Sequence, residues 1–405
     1  MQNLDVAIIG AGIIGLTAAL ALKDSGLQVI VIDAESADSP VSDLPELRVS
    51  AINLASQAIF QNLGAWEHVQ QQRLQPYQNM HVWEQDSFAN IHFSNQDIQR
   101  DHLGSIVENQ VLRLALLKSL ADAKNIEIAE PSKIDKLLFG QSESFITLQN
   151  GEMFTAKLVV GADGANSYVR KAANLPFTFW DYDHIAIVAT VHAELPHNNV
   201  ARQVFTADGP LAFLPLFEPH LCSIVWSQQN AQAELLMALP KEQFNQRLQV
   251  TLDGQLGKCE IQSQRVSYPL KMRYCRQWVK ERVILIGDAA HTIHPLAGQG
   301  ANLGIADAAA LAQTLTQLNR VNKDIGAAKN LRPLERWRKA EAMKMIASME
   351  GFKRLFAGKH PLKKLVRDIG LSVADKSGPI KREMIKMAVG LDGELPELAK
   401  QAQAK

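Results

Sequence analysis

The chain has 405 residues and a balanced charge, with 42 Lys and Arg residues against 42 Asp and Glu residues. Its length exceeds what one hydrophobic core usually supports, so two packed domains are expected. The neutral balance excludes a global electric field that would attract nucleic acid or an anionic membrane, so partners must be inferred from local features.

The N-terminal segment and the cysteines favour a cytoplasmic protein. No basic residue precedes the first apolar run, residues 6–22, which argues against a secretory signal. This run is short for a membrane span and contains three glycines, so we predict a buried strand, a turn and a helix. The cysteines are odd in number and too widely spaced for a disulfide framework or a paired zinc motif. They are Cys222, Cys259 and Cys275.

The first predicted unit is a strand, a glycine-rich turn, a helix and a second strand. Residues 5–9 form a β-branched run that is typical of a buried parallel strand, and GAGIIG follows directly. Apolar residues then recur at helical spacing up to Gly26, and residues 29–32 predict a second buried strand that ends at Asp33. The pattern indicates a complete βαβ unit.

The glycine spacing in this unit suits a dinucleotide. Gly10 allows a tight turn, Gly12 lets the backbone approach a pyrophosphate, and Gly15 lets the helix pack on the strand. The diphosphate would lie at a helix N-terminus, which favours an anion. Asp33, 18 residues after Gly15, is placed to accept hydrogen bonds from a ribose. A glycine turn without a ligand is the alternative, and the unit alone does not distinguish FAD from NAD.

Two further strands end in aspartates. A strand at residues 157–161 leads to Asp163 within GADGANS, and one at residues 282–286 leads to Asp288 within GDAAH. A glycine-rich loop up to residue 302 and a long helix follow the second motif. Carboxyl ends of parallel strands meet at one edge, so these turns can converge on one extended cofactor. For Asp163, a helix cap assisted by Ser167 is the alternative.

The three motifs GAGIIG, GADGANS and GDAAHTIHPLAGQGANLG resemble the signatures of class A flavoprotein monooxygenases. Segments such as LRVSAINLAS, HLGSIVENQVL and LVRDIGLSVAD resemble the aromatic hydroxylases of ubiquinone biosynthesis, over nearly the whole chain. Within that family they are most similar to the 2-polyprenylphenol (2-octaprenylphenol) hydroxylases that act at ring carbon 5. The resemblance implies an α/β fold of the FAD-binding Rossmann-like type (GR2 or PHBH type), with an inserted antiparallel β-sheet substrate domain and a helical C-terminal region.

The resemblance also implies the site and the chemistry. Asp33 stands where most members have Glu, so the ribose contact is expected with altered geometry. FAD would be reduced by an external donor such as NAD(P)H, and O2 would react through a flavin C4a-hydroperoxide that hydroxylates the phenol. Asp288 would accept from the ribityl chain, and the glycine loop would present N–H groups to the flavin ring. Further expected contacts are Arg48 and Asn109 near the flavin and ribityl chain, and Gly298, Gly300, Ala301 and Asn302 at the isoalloxazine.

Four segments are predicted. Residues 1–175 would form the first part of the FAD-binding domain, 176–275 the substrate-binding sheet, 276–325 the second FAD-binding part, and 326–405 a helical C-terminal region. Alternating strands and prolines in the second segment indicate an antiparallel sheet. Candidate walls of its substrate pocket, with plain core as the alternative, are Phe213, Leu214, Pro215 and Trp226.

Acid/base residues, metal and partners are less strongly indicated. His291 and His294, with Pro295 beside them, are candidates for proton transfer, but a histidine in such a loop more often orients backbone, so no base is assigned. No Cys/His cluster has metal-ligand spacing. Residues 351–390 contain 10 basic and 3 acidic residues, which indicates a solvated face or, alternatively, peripheral contact with an inner membrane or a ubiquinone-biosynthesis complex.

Two rival functions remain open at this point. A flavin dehydrogenase or reductase on the same fold would share the FAD motifs but would insert no oxygen. A flavin-bound scaffold of the biosynthetic complex would carry no activity, against which the intact GDAAH and glycine loop argue.

Overall fold

A computed structural model of the chain describes residues 2–36, 40–42, 44–85, 87, 90–292, 299–356 and 377–400. The helices of these ranges are α1 (Ile13–Ala21), α2 (Leu54–Asn62), α3 (Trp66–Gln70), α4 (Asn109–Leu120), α5 (Tyr168–Ala172), α6 (Asn230–Ala238), α7 (Lys241–Thr251), α8 (Gln299–Arg320), α9 (Ala328–Phe356) and α10 (Gly378–Ala388). Short 3-10 turns occur at Asn95–Ile98, Gly287–Ala289 and Glu397–Ala399.

The strands form three sheets. They are β1 (Gln2–Ile9), β2 (Val29–Ile32), β3 (Val49–Asn53), β4 (Leu74–Tyr77), β5 (Asn79–Glu84), β6 (Asn90–Ser94), β7 (Gly104–Glu108), β8 (Ile126–Ala129), β9 (Ile134–Phe139), β10 (Ser144–Leu148), β11 (Met153–Gly161), β12 (Phe177–Ala193), β13 (Val200–Thr206), β14 (Gly209–Pro215), β15 (Leu221–Gln229), β16 (Cys259–Ile261), β17 (Val266–Cys275), β18 (Val279–Lys280), β19 (Val283–Leu285) and β20 (His291–Thr292).

The first sheet has a parallel centre, in the order β19, β11, β1, β2, β8. Its central strands are apolar on both faces because helices α1, α4 and α8 cover one face and a second apolar cluster covers the other. The chain continues from β1 to β2 on one side, whereas β11 pairs on the other side. This places a topological switch point at the carboxyl end of β1, where open sheets bind ligands.

The second sheet is mainly antiparallel, in the order β20, β17, β12, β15, β14, β13, β5, β6, with β16 on β12. Strands β5 and β6 come from the first predicted segment, and β20 comes from the third. The sheet therefore extends beyond residues 176–275, because β5 pairs in parallel with β13, and the sequence does not reveal such a distant partner. Helices α6 and α7 pack on one face of this sheet.

The remaining elements close the molecule. Strands β3, β7 and β4 form a small third sheet, and α8 packs against α9. Cys222, Cys259 and Cys275 are buried and unpaired, and burial raises the pKa of the Cys222 thiol to about 12. Among the helices in the described ranges, none is long and apolar enough to cross a membrane.

Candidate cofactor-binding site

The three predicted cofactor turns meet at the carboxyl edge of the parallel sheet. A Cβ atom placed on Gly10 would lie 2.5 Å from the carbonyl oxygen of Ala162, so the first and second turns touch. The Ile14 side chain lies 3.2 Å from the position of a Cβ on Gly287, which joins the first turn to the third. A Cβ on Gly304 of α8 would lie 3.2 Å from the Gly287 Cα. Glycine at these positions therefore permits the convergence.

The nucleotide turn has the shape that a pyrophosphate needs. Gly10 has φ +110°, a left-handed conformation that favours glycine. A Cβ on Gly12 would meet no heavy atom within 4 Å, whereas a Cβ on Gly15 would lie 1.9 Å from the Gly10 carbonyl oxygen. No side chain caps the N-terminus of α1, and its first turn contains no acidic residue. This uncapped helix end, with open space at Gly12, is a place where an anion is favoured.

Asp33 closes this turn, and one residue that the sequence did not indicate supports it. Its carboxylate accepts hydrogen bonds from the backbone N–H groups of Ala11 (2.5 Å) and Glu35 (2.9 Å). Arg113 on α4 donates to the carbonyl oxygen of Ala11 (2.8 Å) and to Glu130 (3.0 Å). Arg113 was missed because its partners are distant in the chain. Asp33 is thus fixed beside the predicted ribose position.

Asp163 caps α5, which is the alternative that the sequence left open. One carboxylate oxygen accepts from the N–H groups of Tyr168 (2.6 Å) and Val169 (3.1 Å), and Ser167 caps Arg170 N–H (2.9 Å). The other carboxylate oxygen of Asp163 is buried without a hydrogen-bond partner among the described residues. It is an unsatisfied acceptor at the edge where the turns converge.

The guanidinium of Arg170 joins the second turn to the third. It is buried and donates to the carbonyl oxygens of Ala165 (2.8 Å) and Ala289 (2.8 Å). Desolvation lowers the pKa of Arg170. Its charge-assisted hydrogen bonds hold the GADGANS and GDAAH backbones together.

Asp288 lies in the short 3-10 turn that follows β19. Its side chain is solvent-accessible, yet enough protein surrounds it that desolvation raises the pKa of its carboxyl, against the opposing charges of His291, Arg48 and Arg273. Arg48 is exposed, and its carbonyl oxygen accepts from the backbone N–H of Asn109 (3.0 Å). The structure thus brings Arg48 and Asp288 into one electrostatic environment, with Asn109 beside Arg48.

His291 points into the protein. Its Nε2 lies 2.5 Å from the Asp307 carboxylate, which also accepts from Arg338 Nε (2.7 Å). Asp307 and Arg338 were missed, although Asp307 is a lone acid within the apolar run of α8 and could have drawn attention.

The glycine loop is shorter than the sequence predicts, because α8 begins at Gln299. Gly300, Ala301 and Asn302 therefore lie in the first turn of a helix, whose N–H groups suit the negative charge of a reduced flavin. The buried Asn302 side chain accepts from Asn53 N–H (3.0 Å) and donates to the Ala51 carbonyl oxygen (2.8 Å). These bonds fix the helix end against β3. The predicted residues His294, Pro295 and Gly298 lie outside the described residues.

The four candidate wall residues divide between two environments. Phe213 and Trp226 are buried in the cluster on the face covered by α6 and α7, which fits the plain-core alternative. Leu214 points to the opposite face and packs with residues of β3, β7 and α10, and Pro215 is buried at the end of β14. Leu214 is thus the candidate on the side of the FAD-binding elements.

A cavity of about 280 Å³ lies behind the first turn of α8. Its walls come from the N-terminal parts of α2 and α8, the middle of α9, the C-terminal end of α10 and the segment after α10, and they include Asn302 and Arg338. Two basic residues of the predicted basic region lie on the described helix α10 and form ion pairs. Lys381 contacts Asp97 in the Asn95–Ile98 turn (3.4 Å), and Lys386 contacts Glu383 on the same helix (2.7 Å). Within the described ranges, no group of three or more His, Cys, Asp or Glu residues could hold a metal ion.

These features fit FAD. Gly12 leaves room for a diphosphate, two helix N-termini lack acidic residues in their first turns, and Asp163 offers an unsatisfied oxygen. A dinucleotide needs anion sites and ribose acceptors along one extended groove, and the three turns supply both.

Comparison with known proteins agrees with this geometry. The family model described as "FAD binding domain" matches residues 3–345. A 3-demethoxyubiquinol 3-hydroxylase of Escherichia coli is 34% identical over 391 residues, covering 96% of this chain and 99% of that protein. The mitochondrial ubiquinone biosynthesis monooxygenase COQ6 of Danio rerio is 33% identical over 434 residues, covering 95% of this chain and 89% of that protein.

The fold also matches solved structures. The p-nitrophenol 4-monooxygenase PnpA from Pseudomonas putida DLL-E4 superposes with a TM-score of 0.78 and 18% identity, covering 97% of this chain and 99% of that one. The predicted α/β fold of the FAD-binding PHBH type is confirmed.

Proposed function

Since the chain belongs to the family of FAD-dependent monooxygenases that share this FAD binding domain, we propose that it hydroxylates the ring of a polyprenylphenol in ubiquinone biosynthesis. The family uses FAD, O2, a reductant and an aromatic substrate. The observation that carries the proposal is the convergence of the three turns, joined by Gly10, Gly287 and Gly304, in a chain whose relatives are named for ubiquinone synthesis.

Bound FAD supplies the electron transfer and the activation of O2. The protein's own residues bind and orient. The N-terminus of α1 at Gly12 would hold the diphosphate, Asp33 the ribose and Asp288 the ribityl chain. The first turn of α8, with Gly300 and Ala301, would place N–H groups beside the flavin ring and stabilise negative charge on it.

The ring position is a finer proposal. The segments HLGSIVENQVL and LVRDIGLSVAD support hydroxylation at carbon 5 of a 2-polyprenylphenol. The name of the Escherichia coli relative favours a second candidate, hydroxylation of a demethoxyubiquinol at carbon 3. The two candidates leave different precursors unconverted.

Deletion of the gene tests this proposal. We expect cells without the protein to accumulate a polyprenylphenol that lacks the carbon 5 hydroxyl, measured by mass spectrometry of extracted quinones. Wild-type protein should restore the quinone pool, whereas the Gly12→Val variant should not. Accumulation of a demethoxyubiquinol would select carbon 3, and an unchanged quinone pool would contradict the pathway.

Two rivals give different products. A flavin dehydrogenase would form product that carries no oxygen from O2, and a scaffold would bind FAD and form none. An assay of the purified protein with isotope-labelled O2 separates both rivals from a monooxygenase, because only a monooxygenase transfers the labelled oxygen to its product.

Peripheral membrane contact through residues 351–390 is a separate proposal, supported by their 10 basic against 3 acidic residues. Flotation with vesicles that contain anionic lipid tests it. Binding should weaken as salt increases, because the attraction is electrostatic. Equal binding to neutral vesicles would contradict it.

A further inference from the structure

A buried hydrogen-bonded triad links the third cofactor turn to two helices. His291 ends the GDAAH motif, Asp307 lies on α8 and Arg338 lies on α9, and their side chains are only 1%, 1% and 4% exposed. The carboxylate of Asp307 can only accept, so Nε2 of His291 donates to one of its oxygens (2.5 Å) and Nε of Arg338 donates to the other (2.7 Å).

Asp307 also contacts the beginning of the same turn. The oxygen that accepts from His291 accepts from the backbone N–H of Gly287 at 3.2 Å. One carboxylate therefore holds both ends of the five-residue turn, and Asp288 lies between these ends. The ring of Trp278, with its centroid 5.0 Å from that of His291, packs against the imidazole and limits its movement.

We infer that Asp307 is a positioning residue for FAD: by clamping Gly287 and His291, it aims the Asp288 carboxylate at the cofactor. This inference rests on FAD binding at the proposed site and is independent of which ring is hydroxylated.

Stability alone is a weak explanation for the triad. Removing charges from water is costly, and a buried ion pair often stabilises a fold no more than an apolar group of similar volume. The triad does fix a geometry, because Asp307 on α8 has hydrogen-bond partners at both ends of the GDAAH turn and on α9. Burial alone would raise the pKa of Asp307, but His291 and Arg338 hold it below its ordinary value, so the carboxylate stays charged at neutral pH.

The test is a double-mutant cycle on FAD affinity. Asp307→Asn should raise the Kd for FAD by about tenfold or more, measured by quenching of flavin fluorescence, as expected for a misplaced charged acceptor. In an Asp288→Ala background the same substitution should add less than about threefold, because the acceptor that Asp307 positions is already absent. If Asp307 had only a structural role, Asp307→Asn would raise the Kd for FAD by the same factor in the wild-type and Asp288→Ala backgrounds.

Asp324→Asn is the matched control. Asp324 forms a bidentate pair with the buried Arg282 (2.7 Å for both bonds) at the start of β19, the end of the strand away from the cofactor turn. This variant should lower the melting temperature and leave the Kd for FAD unchanged. Should Asp307→Asn fail to fold, His291→Gln replaces it in the cycle, since it removes the imidazole from the same clamp.

Wild-type affinity for FAD in the Asp307 variant, or equal penalties in both backgrounds, would overturn the inference while leaving the proposed hydroxylation intact. A wild-type chain that binds no FAD would instead contradict the proposed function itself.

Discussion

At Asp288, the proposed contact with the cofactor and the stability of the fold oppose each other. The side chain is solvent-accessible, but desolvation by the surrounding protein raises the pKa of its carboxyl, so the ionised form is less favourable in the folded protein than in the unfolded chain. The folded protein therefore loses stability as pH rises through the unfolded pKa of about 3.9 towards the raised folded pKa. Such a cost is consistent with the proposed contact between this carboxylate and the ribityl chain.

We predict that Asp288→Asn raises the melting temperature of the FAD-free protein at pH 7 and weakens FAD binding by about tenfold or more. This rise in melting temperature should vanish at a pH below the pKa of the unfolded state, since Asp288 is then protonated in both the folded and the unfolded protein. Calorimetry and flavin titration measure the two effects. A variant that is less stable and binds FAD as tightly as wild type would contradict the role of Asp288.

The contribution of Asp324 to stability should depend on pH in the opposite direction to that of Asp288. Its hydrogen bonds from Arg282 lower the pKa of its carboxyl, so its contribution to stability is present above the unfolded pKa and is lost as pH falls through the folded pKa. Asp324→Asn should therefore destabilise the protein at pH 7, as measured by thermal unfolding.

The sequence indicates residues that are proposed to contact a ligand, but it does not indicate the residues that support them. Gly10, Gly12 and Gly15 follow from the spacing of a dinucleotide turn. Arg113 and Arg338 do not, because each acts on a partner that only the tertiary fold brings near.

At the level of elements, the glycines of α1 have separable roles. A Cβ on Gly12 meets no heavy atom within 4 Å, whereas one on Gly15 lies 1.9 Å from a backbone oxygen of Gly10. Gly12→Val should therefore fold with a melting temperature near that of wild type yet lose FAD binding, because its side chain occupies the diphosphate position. Gly15→Ala should fail to fold. Flavin titration and circular dichroism measure these outcomes, and a Gly12→Val protein that retains FAD would place the diphosphate elsewhere.

The contact between α8 and β3 depends on Asn302. Its side chain makes two hydrogen bonds to the backbone of Ala51 and Asn53, so Asn302→Ala should lower the free energy of unfolding by about 1–3 kcal/mol. Asn150→Ala in an exposed turn is the control, with a change within about 0.5 kcal/mol. If urea denaturation showed equal changes in the free energy of unfolding for the two variants, the Asn302 hydrogen bonds would not contribute the stability proposed for them.

Element boundaries were predicted best where apolar periodicity is strong. Residues 29–32 were predicted as a strand and form β2. The start of α8 was predicted after residue 302, since Gly and Ala carry little periodic signal, yet the helix begins at Gln299. The pairing of β5 with β13 was not predictable, because it joins segments more than 100 residues apart.

At the scale of the whole molecule, a parallel sheet supplies the cofactor edge and an antiparallel sheet lies beside it. The two are connected through β20, which continues the GDAAH motif and pairs with β17 of the second sheet. The backbone that carries Asp288 is thus continuous with the second sheet.

Oxygen labelling tests this account most directly. The purified protein is supplied with FAD, a reductant, a short-chain polyprenylphenol and O2 labelled with a heavy oxygen isotope, and the mass of the product is measured by mass spectrometry. The account predicts a hydroxylated product with one heavy oxygen atom, formed by wild type and lost in Gly12→Val. An FAD-loaded wild-type protein that yields only unlabelled product, or none, would contradict it.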